Sequence, residues 1–311
     1  MQFSLELPTQ RVDQAEEFVS LAAITEVTAA AARAGFAAVY VTDHPAPDAK
    51  WLDHGGHHAL DPFVALGIAA TADPNIALHT NIYVAAYRNP FLGAKSVHSL
   101  DVLSGNRLIL GVAAGYLKPE FAALGIDFAS RGAQLDEALA VLDAVYGDDD
   151  VVWEGEGFSA RGVRLRPRSV TGRRPPVWVG GNSTAAMRRA ARHDGWAPFH
   201  TSGYAKASRT AAIESVDDLA AGIGRVRELR TLGGGDAPGD AFDICWSEAL
   251  LSDLAASRDH QCSRLSALEA VGVTWSSVAL GGENRAELID TIERFGREVI
   301  AEFPATEFPA T

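Results

Sequence analysis

The chain has 311 residues, of which 47% are apolar and 22% charged, as is typical of a globular protein with a large core. Its 40 acidic and 27 basic residues give a formal net charge of −13. A surface of that sign is unsuited to nucleic acid or anionic membranes, so we expect neither as a partner. The first residues show no basic segment followed by an apolar run, and no apolar stretch is long enough to span a bilayer. We therefore expect a cytoplasmic protein.

Apolar periodicity predicts eight strand–helix pairs along the chain. The predicted strands are Phe3–Leu7, Ala37–Thr42, Ile76–Val84, Arg107–Ala113, Val177–Val179, Gly195–Phe199, Phe242–Leu251 and Ser276–Leu280. The predicted helices are Phe18–Ala34, Asp61–Thr71, Pro90–Leu103, Arg131–Tyr146, Ser183–Arg192, Val216–Leu232, His260–Val271 and Arg285–Phe303. Near-continuous apolar strands are typical of a parallel sheet covered on both faces. The pattern favours an α/β fold of the (β/α)8 TIM-barrel type over a doubly wound open sheet.

Three long connections interrupt the rhythm, at Pro45–Leu60, Asp148–Pro176 and Phe199–Ser215. Loops of this length in a compact domain are often functional lids or insertions. The second contains short β-like segments, which predict a small β-excursion. No Pro-, Gly- or Ser-rich tract separates two composition regimes, so we expect residues 1–311 to form one domain with insertions at about 45–60, 148–176 and 199–215. Candidate substrate-facing residues of the loops and late strands are Trp51, His57, Tyr204 and Trp246.

A glycine pair follows the fifth predicted strand. The strand ends at Val179, Gly180 and Gly181 come next, and Asn182 or Ser183 then caps a helix. Two glycines expose backbone N–H groups, and a helix start adds further donors and a positive dipole end. This arrangement predicts an anion site, most simply for a phosphate. The alternative is a tight strand-to-helix turn without a ligand.

Polar residues at the ends of three other predicted strands are candidates for the active face of the barrel. Asp43 and His44 follow strand two, where a histidine can exchange protons and a carboxylate can orient its ring. The alternative is a turn cap. Asn81 lies on an otherwise apolar strand three. Gly115 and Tyr116 follow strand four, where small residues leave room for a planar ring or for close strand packing.

The histidine cluster in the first long loop is His54, His57 and His58. No acidic or cysteine cluster completes a metal site, so we interpret these residues as part of a lid and expect no metal. No G-x-S-x-G motif supports serine nucleophilic catalysis.

Taken together, these motifs resemble the luciferase-like flavin and deazaflavin oxidoreductases, most closely the class that uses coenzyme F420. The matching segments are Gly35–His44, Thr80–Lys95, Leu100–Tyr116, Phe121–Phe128, Arg131–Leu142 and Pro175–Phe199. The resemblance implies a TIM barrel that binds a flavin-like ring at its C-terminal mouth. It also implies a homodimer and a small organic substrate.

The resemblance further implies roles for individual residues. Asp43 and His44 would lie beside the ring, with His44 as the acid/base and Asp43 supporting it. A non-proline cis peptide at Asn81–Ile82 would form a bulge against the ring, and Gly180, Gly181, Asn182 and Ser183 would bind the cofactor phosphate. Sugar-phosphate dehydrogenases of this family have a glutamate where this chain has Tyr116, a poor general acid near neutral pH. That departure weakens a sugar dehydrogenase hypothesis.

The sequence-based hypothesis is therefore hydride transfer between coenzyme F420 and an organic substrate. A deazaflavin reacts poorly with oxygen, which favours reductase or dehydrogenase chemistry. One alternative is an FMN-dependent monooxygenase on the same barrel. A second is a non-catalytic protein that binds a flavin or deazaflavin.

Overall fold

The strands form a closed parallel barrel. The computed structural model describes residues 1–147, 149–167, 169–201, 210–233, 241–247 and 257–303. Its strands are β1 (Gln2–Glu6), β2 (Ala38–Val41), β3 (Ala77–Val84), β4 (Leu108–Ala113), β5 (Val151–Gly155), β6 (Phe158–Val163), β7 (Val177–Gly180), β8 (Gly195–Ala197), β9 (Asp243–Ser247) and β10 (Trp275–Val278). The barrel order is β1-β10-β9-β8-β7-β4-β3-β2, and β5 pairs with β6 alone. The predicted (β/α)8 TIM barrel is confirmed.

The helices surround this barrel. They are α1 (Ala15–Phe18), α2 (Leu21–Arg33), α3 (Ala49–Leu52), α4 (Pro62–Ala69), α5 (Pro90–Leu103), α6 (Lys118–Ala123), α7 (Arg131–Gly147), α8 (Thr184–Ala190), α9 (Val216–Leu232), α10 (Arg258–Ala270) and α11 (Arg285–Glu298). The bounds of α5 and α9 are those predicted from the sequence.

Several of the predicted element bounds need correction, among them the end of the last predicted helix, which lies at Glu298 rather than at Phe303. The first predicted helix was wrong in its opening turn, because the Ser20 side chain accepts from the Ala23 N–H and starts α2 anew after α1. The sixth strand ends at Ala197 rather than at Phe199, which forms only an isolated bridge with Ser247. For the seventh predicted strand, residues 248–251 lie outside the described residues.

Alternation along each strand separates two apolar cores. On β1, Phe3 and Leu5 point outward and pack under the helices, where Phe3 meets Phe295 of α11 edge to face. Ser4 points inward and contacts the His79 ring at Nδ1. The lower barrel interior is filled by a second core, which includes Trp178 and Trp275. The candidate site residues described below lie at the upper end of the interior and in the loops above it.

The insertions carry local structure of their own. The first long connection contains the single turn α3, and the second contains the β5–β6 hairpin, which confirms the predicted β-excursion. The hairpin is held against the barrel by Trp153, whose indole N–H donates to Glu137 of α7, and by a ring contact between Phe158 and Phe91. In the third connection, Thr201 pairs with Ile213, and residues 202–209 lie outside the described part of the chain.

Strand β3 has a bulge between Thr80 and Tyr83. The Asn81–Ile82 peptide bond is cis, and the register with β4 shifts between Thr80 and Tyr83. Both features agree with the implied non-proline cis bulge. Gly111 of β4 lies opposite, and a Cβ at that position would collide with the Thr80 carbonyl oxygen. A glycine is thus required where the bulge presses on the neighbouring strand.

We predict that Gly111→Ala lowers the free energy of unfolding by about 1–3 kcal/mol, because the added methyl group overpacks the bulge. The matched control is Gly67→Ala in α4, where an added Cβ meets nothing within 4 Å. That variant should gain roughly 0.5–1 kcal/mol. Thermal and urea unfolding of the two variants measure the contrast, and equal behaviour would contradict it.

Candidate active site

His44 lies directly after β2 and is held by a buried carboxylate from another loop. Its Nδ1 atom is 3.1 Å from Oε2 of Glu120, and His44 is 9% exposed while Glu120 is fully buried. Glu120 also accepts from the Tyr87 hydroxyl at 2.7 Å and from the Ala46 N–H at 3.2 Å. Three donors thus fix this carboxylate in one orientation. The sequence assigned the support of His44 to Asp43, but the structure gives the contact to Glu120.

The loop after β4 brings Glu120 to this position. Gly115 has a φ of +80°, and a Cβ there would lie 2.7 Å from Val84 and 3.0 Å from Phe121. The chain can therefore turn closely over the end of β3 only with glycine at this point. The turn leads into α6, where Phe121 is fully buried and packs edge to face on Tyr87 at 4.8 Å. This apolar contact sets Glu120 beside His44.

Asp43 has a different set of partners. Its carboxylate accepts two bonds from Arg88, at 2.7 and 3.1 Å, and one from the Val84 N–H at 3.0 Å. Arg88 also donates to Asp61, the residue that caps α4. Burial raises the pKa of Asp43, and the Arg88 and Val84 bonds oppose that rise. The Asp43–Arg88 pair thus ties the ends of β2 and β3 together.

Aromatic rings surround His44 at the mouth of the barrel. The Trp51 ring lies 4.5 Å from the imidazole centre, His57 lies 4.9 Å away and Tyr116 6.1 Å away. The His57 Nε2 atom is 3.2 Å from the Thr42 hydroxyl. Burial and the neighbouring His44 lower the pKa of His57 to about 4, so this ring is uncharged at neutral pH. Trp51 and His57 therefore contribute a neutral wall beside His44.

The bulge places two residues at the floor of the mouth. Asn81 points into the barrel, where its amide donates to Ser247 at 3.4 Å and to Ser277 at 3.2 Å. Ile82 is half-buried and reaches across to β7, where a Cβ at Gly180 would collide with it. The apolar Ile82 side chain beside the aromatic rings suits the face of a planar ring.

The glycine pair leads into a turn that is largely bonded to the chain itself. Gly181 has a φ of +109°, and its N–H donates to the Ala197 carbonyl at 3.2 Å. Asn182 is fully buried; its amide donates to the Phe199 and Ala211 carbonyls and accepts from the Phe199 N–H. The Ser183 hydroxyl caps α8 by accepting from the Ala186 N–H.

Because of these bonds, only some hydrogen-bond donors of the turn are still available to an anion. The Asn182 side chain anchors the third long loop, and its backbone N–H donates to the Thr210 hydroxyl. Among the described residues of this turn, the Ser183 hydroxyl hydrogen and the first two N–H groups of α8 remain available to an anion, whereas the Ala186 N–H is already bonded to Ser183. Val179 is fully buried beneath the turn and lies on the strand that supports it.

Sequence reasoning missed three residues of this site, Glu120, Tyr87 and Arg88. Glu120 immediately precedes the Phe121–Phe128 segment of the family resemblance, and it follows a proline in the first turn of α6. An acidic residue there is equally typical of a solvated helix start, so the pattern alone did not distinguish it. Of the candidate substrate-facing residues, Trp246 is buried in the outer core, and Tyr204 lies outside the described residues.

Two features are absent from the part of the chain that the structure describes. Within it, no helix is both long and apolar enough to cross a membrane. No group of three or more His, Cys, Asp or Glu side chains among the same residues is arranged to hold a metal ion.

A closed parallel barrel with a histidine and aromatic rings at its C-terminal mouth is matched by a known family. The family model described as "Luciferase-like monooxygenase" matches residues 1–233, and the chain belongs to this family. Its members include oxidoreductases named for coenzyme F420 and monooxygenases named for FMN.

Three known proteins illustrate this range. An F420-dependent glucose-6-phosphate dehydrogenase of Beutenbergia cavernae is 30% identical over 271 residues, 86% of this chain and 72% of that protein. The solved structure of an F420-dependent secondary alcohol dehydrogenase matches with a TM-score of 0.75 at 16% identity, over 96% of this chain and 98% of that one. The FMN complex of a Baeyer-Villiger monooxygenase of Pseudomonas putida has a TM-score of 0.74 at 15% identity, over 98% and 99%.

We predict that Arg88→Met lowers the free energy of unfolding by about 3–5 kcal/mol, because it leaves Asp43 buried without its ion-pair partner. The control is Arg33→Met, which removes an exposed ion pair with Glu293 at 3.5 Å and should cost less than about 1 kcal/mol. Unfolding in urea measures both. A loss at Arg88 no larger than at Arg33 would show that the buried pair is not needed.

We predict that His57 makes the protein less stable in acid. Its pKa lies near 4 in the folded chain, against an ordinary value of 6.5, so the unfolded state binds more protons between these limits. The free energy of unfolding contributed by His57 is therefore present above pH 6.5 and lost as the pH falls toward 4. His57→Gln should flatten the unfolding free energy in this window relative to the wild type. Parallel curves for the two proteins would refute the assignment.

Proposed function

We propose that the protein is a coenzyme F420-dependent oxidoreductase that transfers a hydride between the deazaflavin and a small organic substrate, with His44 as the proton donor and acceptor. The observation that carries this proposal is the buried contact between His44 and Glu120 at the mouth of the barrel. A histidine held at one ring nitrogen by a carboxylate is a recurring arrangement for proton transfer through the other.

His44 and Glu120 have different roles in this proposal. The contact with Glu120 occupies Nδ1 and leaves Nε2 of His44 to exchange a proton with the substrate. The same contact fixes the orientation of the imidazole ring. Tyr87 and the Ala46 N–H hold Glu120 in place, so the ring does not have to reorient between the two protonation states.

The residues around His44 fit a planar ring cofactor. Ile82 at the bulge offers an apolar contact, and Trp51 and Tyr116 add aromatic surface. The Gly115 turn lets the loop lie close to this surface. When bound, the deazaflavin supplies the hydride donor or acceptor. At the far side of the mouth, Gly180, Gly181 and Ser183 form the turn whose remaining helix-start donors would bind the cofactor phosphate.

Three of the predicted site residues position the site in this proposal. The Asn81 amide is directed into the barrel interior, so it supports the bulge from below. Asp43 binds Arg88 and the Val84 N–H, which keeps the end of β3 beside the proton-transfer pair. Asn182 holds the loop that flanks the phosphate turn. We therefore expect substitutions at these positions to act through the placement of their neighbours.

The choice of F420 over FMN rests on the sequence relatives. The glucose-6-phosphate dehydrogenase named for F420 is matched over 86% of this chain, whereas the FMNH2-dependent dimethylsulfone monooxygenase of Pseudomonas putida is matched over 45% at 26% identity. The FMN monooxygenase structure is as similar in fold as the F420 enzyme structures. FMN is therefore the second candidate cofactor.

Parallel titrations with coenzyme F420 and FMN, followed by quenching of tryptophan fluorescence, test the cofactor. Trp51 lies against His44 and would report on a ring bound beside it. Tight binding of F420 and weak binding of FMN are expected. The reverse preference would transfer the protein to the FMN monooxygenases. Binding of both without turnover on any tested substrate would favour a non-catalytic protein.

We predict that His44→Ala lowers kcat by about 10²–10⁴-fold with little change in the Kd for F420, because it removes proton transfer and leaves the ring contacts. Glu120→Gln should lower kcat in the same direction and shift the pH profile, since His44 loses its carboxylate. The control is Glu137→Gln, which affects only the hairpin contact with Trp153 and should behave as wild type. Turnover is measured with the substrate found by screening reduced F420. Full activity in His44→Ala would eliminate its role.

A further inference from the structure

Glu6 is a carboxyl residue inside the mouth of the barrel that the proposed mechanism does not use. It is the last residue of β1, at the C-terminal end where the active face lies. Leu5 and Leu7 on either side are buried in the outer core, whereas Ser4 points inward to His79. By the same alternation the Glu6 side chain points into the barrel. It is half-buried.

The Glu6 carboxyl has no partner that would explain its position. Among the residues that the structure describes, none forms a hydrogen bond or ion pair with it. Burial raises its pKa to about 7. Tyr40 lies beside it in register on β2, and burial, followed by the charge of Glu6, raises the pKa of the Tyr40 hydroxyl. His79, next to Tyr40, is held neutral because burial lowers its pKa to about 3.

A half-buried carboxyl group that is desolvated and has no protein partner costs stability. Perturbed titratable groups of this kind cluster at functional sites. The expected reason for keeping Glu6 at the mouth is therefore a ligand that completes its hydrogen bonding.

The order of strands in the barrel indicates whether the cofactor or the substrate lies beside Glu6. Strand β1 is separated from β7 by three strands on either side, so Glu6 and the Gly180 turn lie at opposite sides of the mouth. His44 lies at the end of β2, the neighbour of β1. A cofactor that extends from the Gly180 turn across Ile82 toward His44 leaves the Glu6 side of the mouth to the substrate. This step rests on the proposed function.

We propose that the Glu6 carboxyl group binds an uncharged hydroxyl or carbonyl group of the substrate and disfavours substrates that carry a carboxylate or phosphate. A protonated carboxyl can donate to a carbonyl and accept from a hydroxyl. Its ionised form repels an anion in this partly desolvated position. The substrate class is thus neutral and oxygen-bearing, unlike the sugar phosphate in the name of the Beutenbergia cavernae relative.

The first experiment tests whether Glu6 faces an open substrate chamber. The intact protein is treated with a water-soluble carbodiimide and glycinamide at about pH 6, below the pKa of Glu6, and digested with trypsin. The peptide Met1–Arg11 contains no other aspartate or glutamate, so a mass increase in it reports Glu6 alone. Glu156, exposed at the turn of the β5–β6 hairpin, is the labelling control.

Labelling of Glu6 both with and without bound F420 is expected. Absence of labelling in both states, with Glu156 labelled, would show that Glu6 faces no open chamber and would overturn the proposal. Labelling that disappears when F420 binds would assign Glu6 to the cofactor and would also overturn it. Labelling without cofactor does not depend on F420. A failure of the Glu6 proposal can therefore be distinguished from a failure of the F420 proposal.

The second experiment tests selectivity with matched probes. Cyclohexanol, cyclohexanone and cyclohexanecarboxylate are titrated into the F420-loaded protein at about pH 8, above the pKa of Glu6, and binding is followed by ligand-observed NMR. At this pH the ionised Glu6 carboxyl group accepts from cyclohexanol but cannot donate to cyclohexanone, so the wild type should bind cyclohexanol roughly tenfold or more tightly than the carboxylate, with cyclohexanone in between. Glu6→Gln, which keeps the shape and removes the charge, should narrow that ratio, and Glu156→Gln should not. No discrimination in the wild type, or an unchanged ratio in Glu6→Gln, would overturn the proposal.

Discussion

Closure of eight parallel strands into one barrel is the constraint on which the other features depend. Closure divides every strand into an outward face, buried under helices, and an inward face that shares a narrow interior. Large rings such as Trp178 and Trp275 fill its lower part, and the candidate site residues lie toward the C-terminal ends of the strands. Asn81, Glu6 and the Gly180 turn are among them. The inward-facing residues near the C-terminal ends of the strands therefore form the base of the candidate site, and the loops complete it.

Two buried carboxylates near β2 illustrate how the loops complete the site. Asp43 satisfies its charge with Arg88, whereas Glu120 satisfies its own with the Tyr87 hydroxyl, a backbone N–H and His44. A carboxylate paired with arginine is neutralised locally and mainly binds elements together. Glu120 has no arginine or lysine partner, and its contact with His44 orients the imidazole ring. The two carboxylates thus serve different purposes because their partners differ.

The sequence predicted most of the fold and only part of the site. The barrel, the bounds of α5 and α9, the hairpin and the bulge at Asn81 all follow from local periodicity or from motif resemblance, which are properties of contiguous residues. The contact of Glu120 with His44 joins positions 76 residues apart, and no local pattern encodes it. The start of a new helix after Ser20 was missed because a single capping serine is a weak signal beside the long alanine-rich helical pattern around it. The alternation of side chains along β1 is enough to place Glu6 on the inward face. That its carboxyl group has no partner among the described residues can be seen only from the three-dimensional structure.

The contact between Gly180 and Ile82 has an evolutionary consequence. The Ile82 side chain occupies the volume that a Cβ at position 180 would need, so the two positions share one space. A side chain at position 180 therefore requires the end of the Ile82 side chain to move away or to become shorter. The two positions should therefore covary across the family, although they lie far apart in sequence.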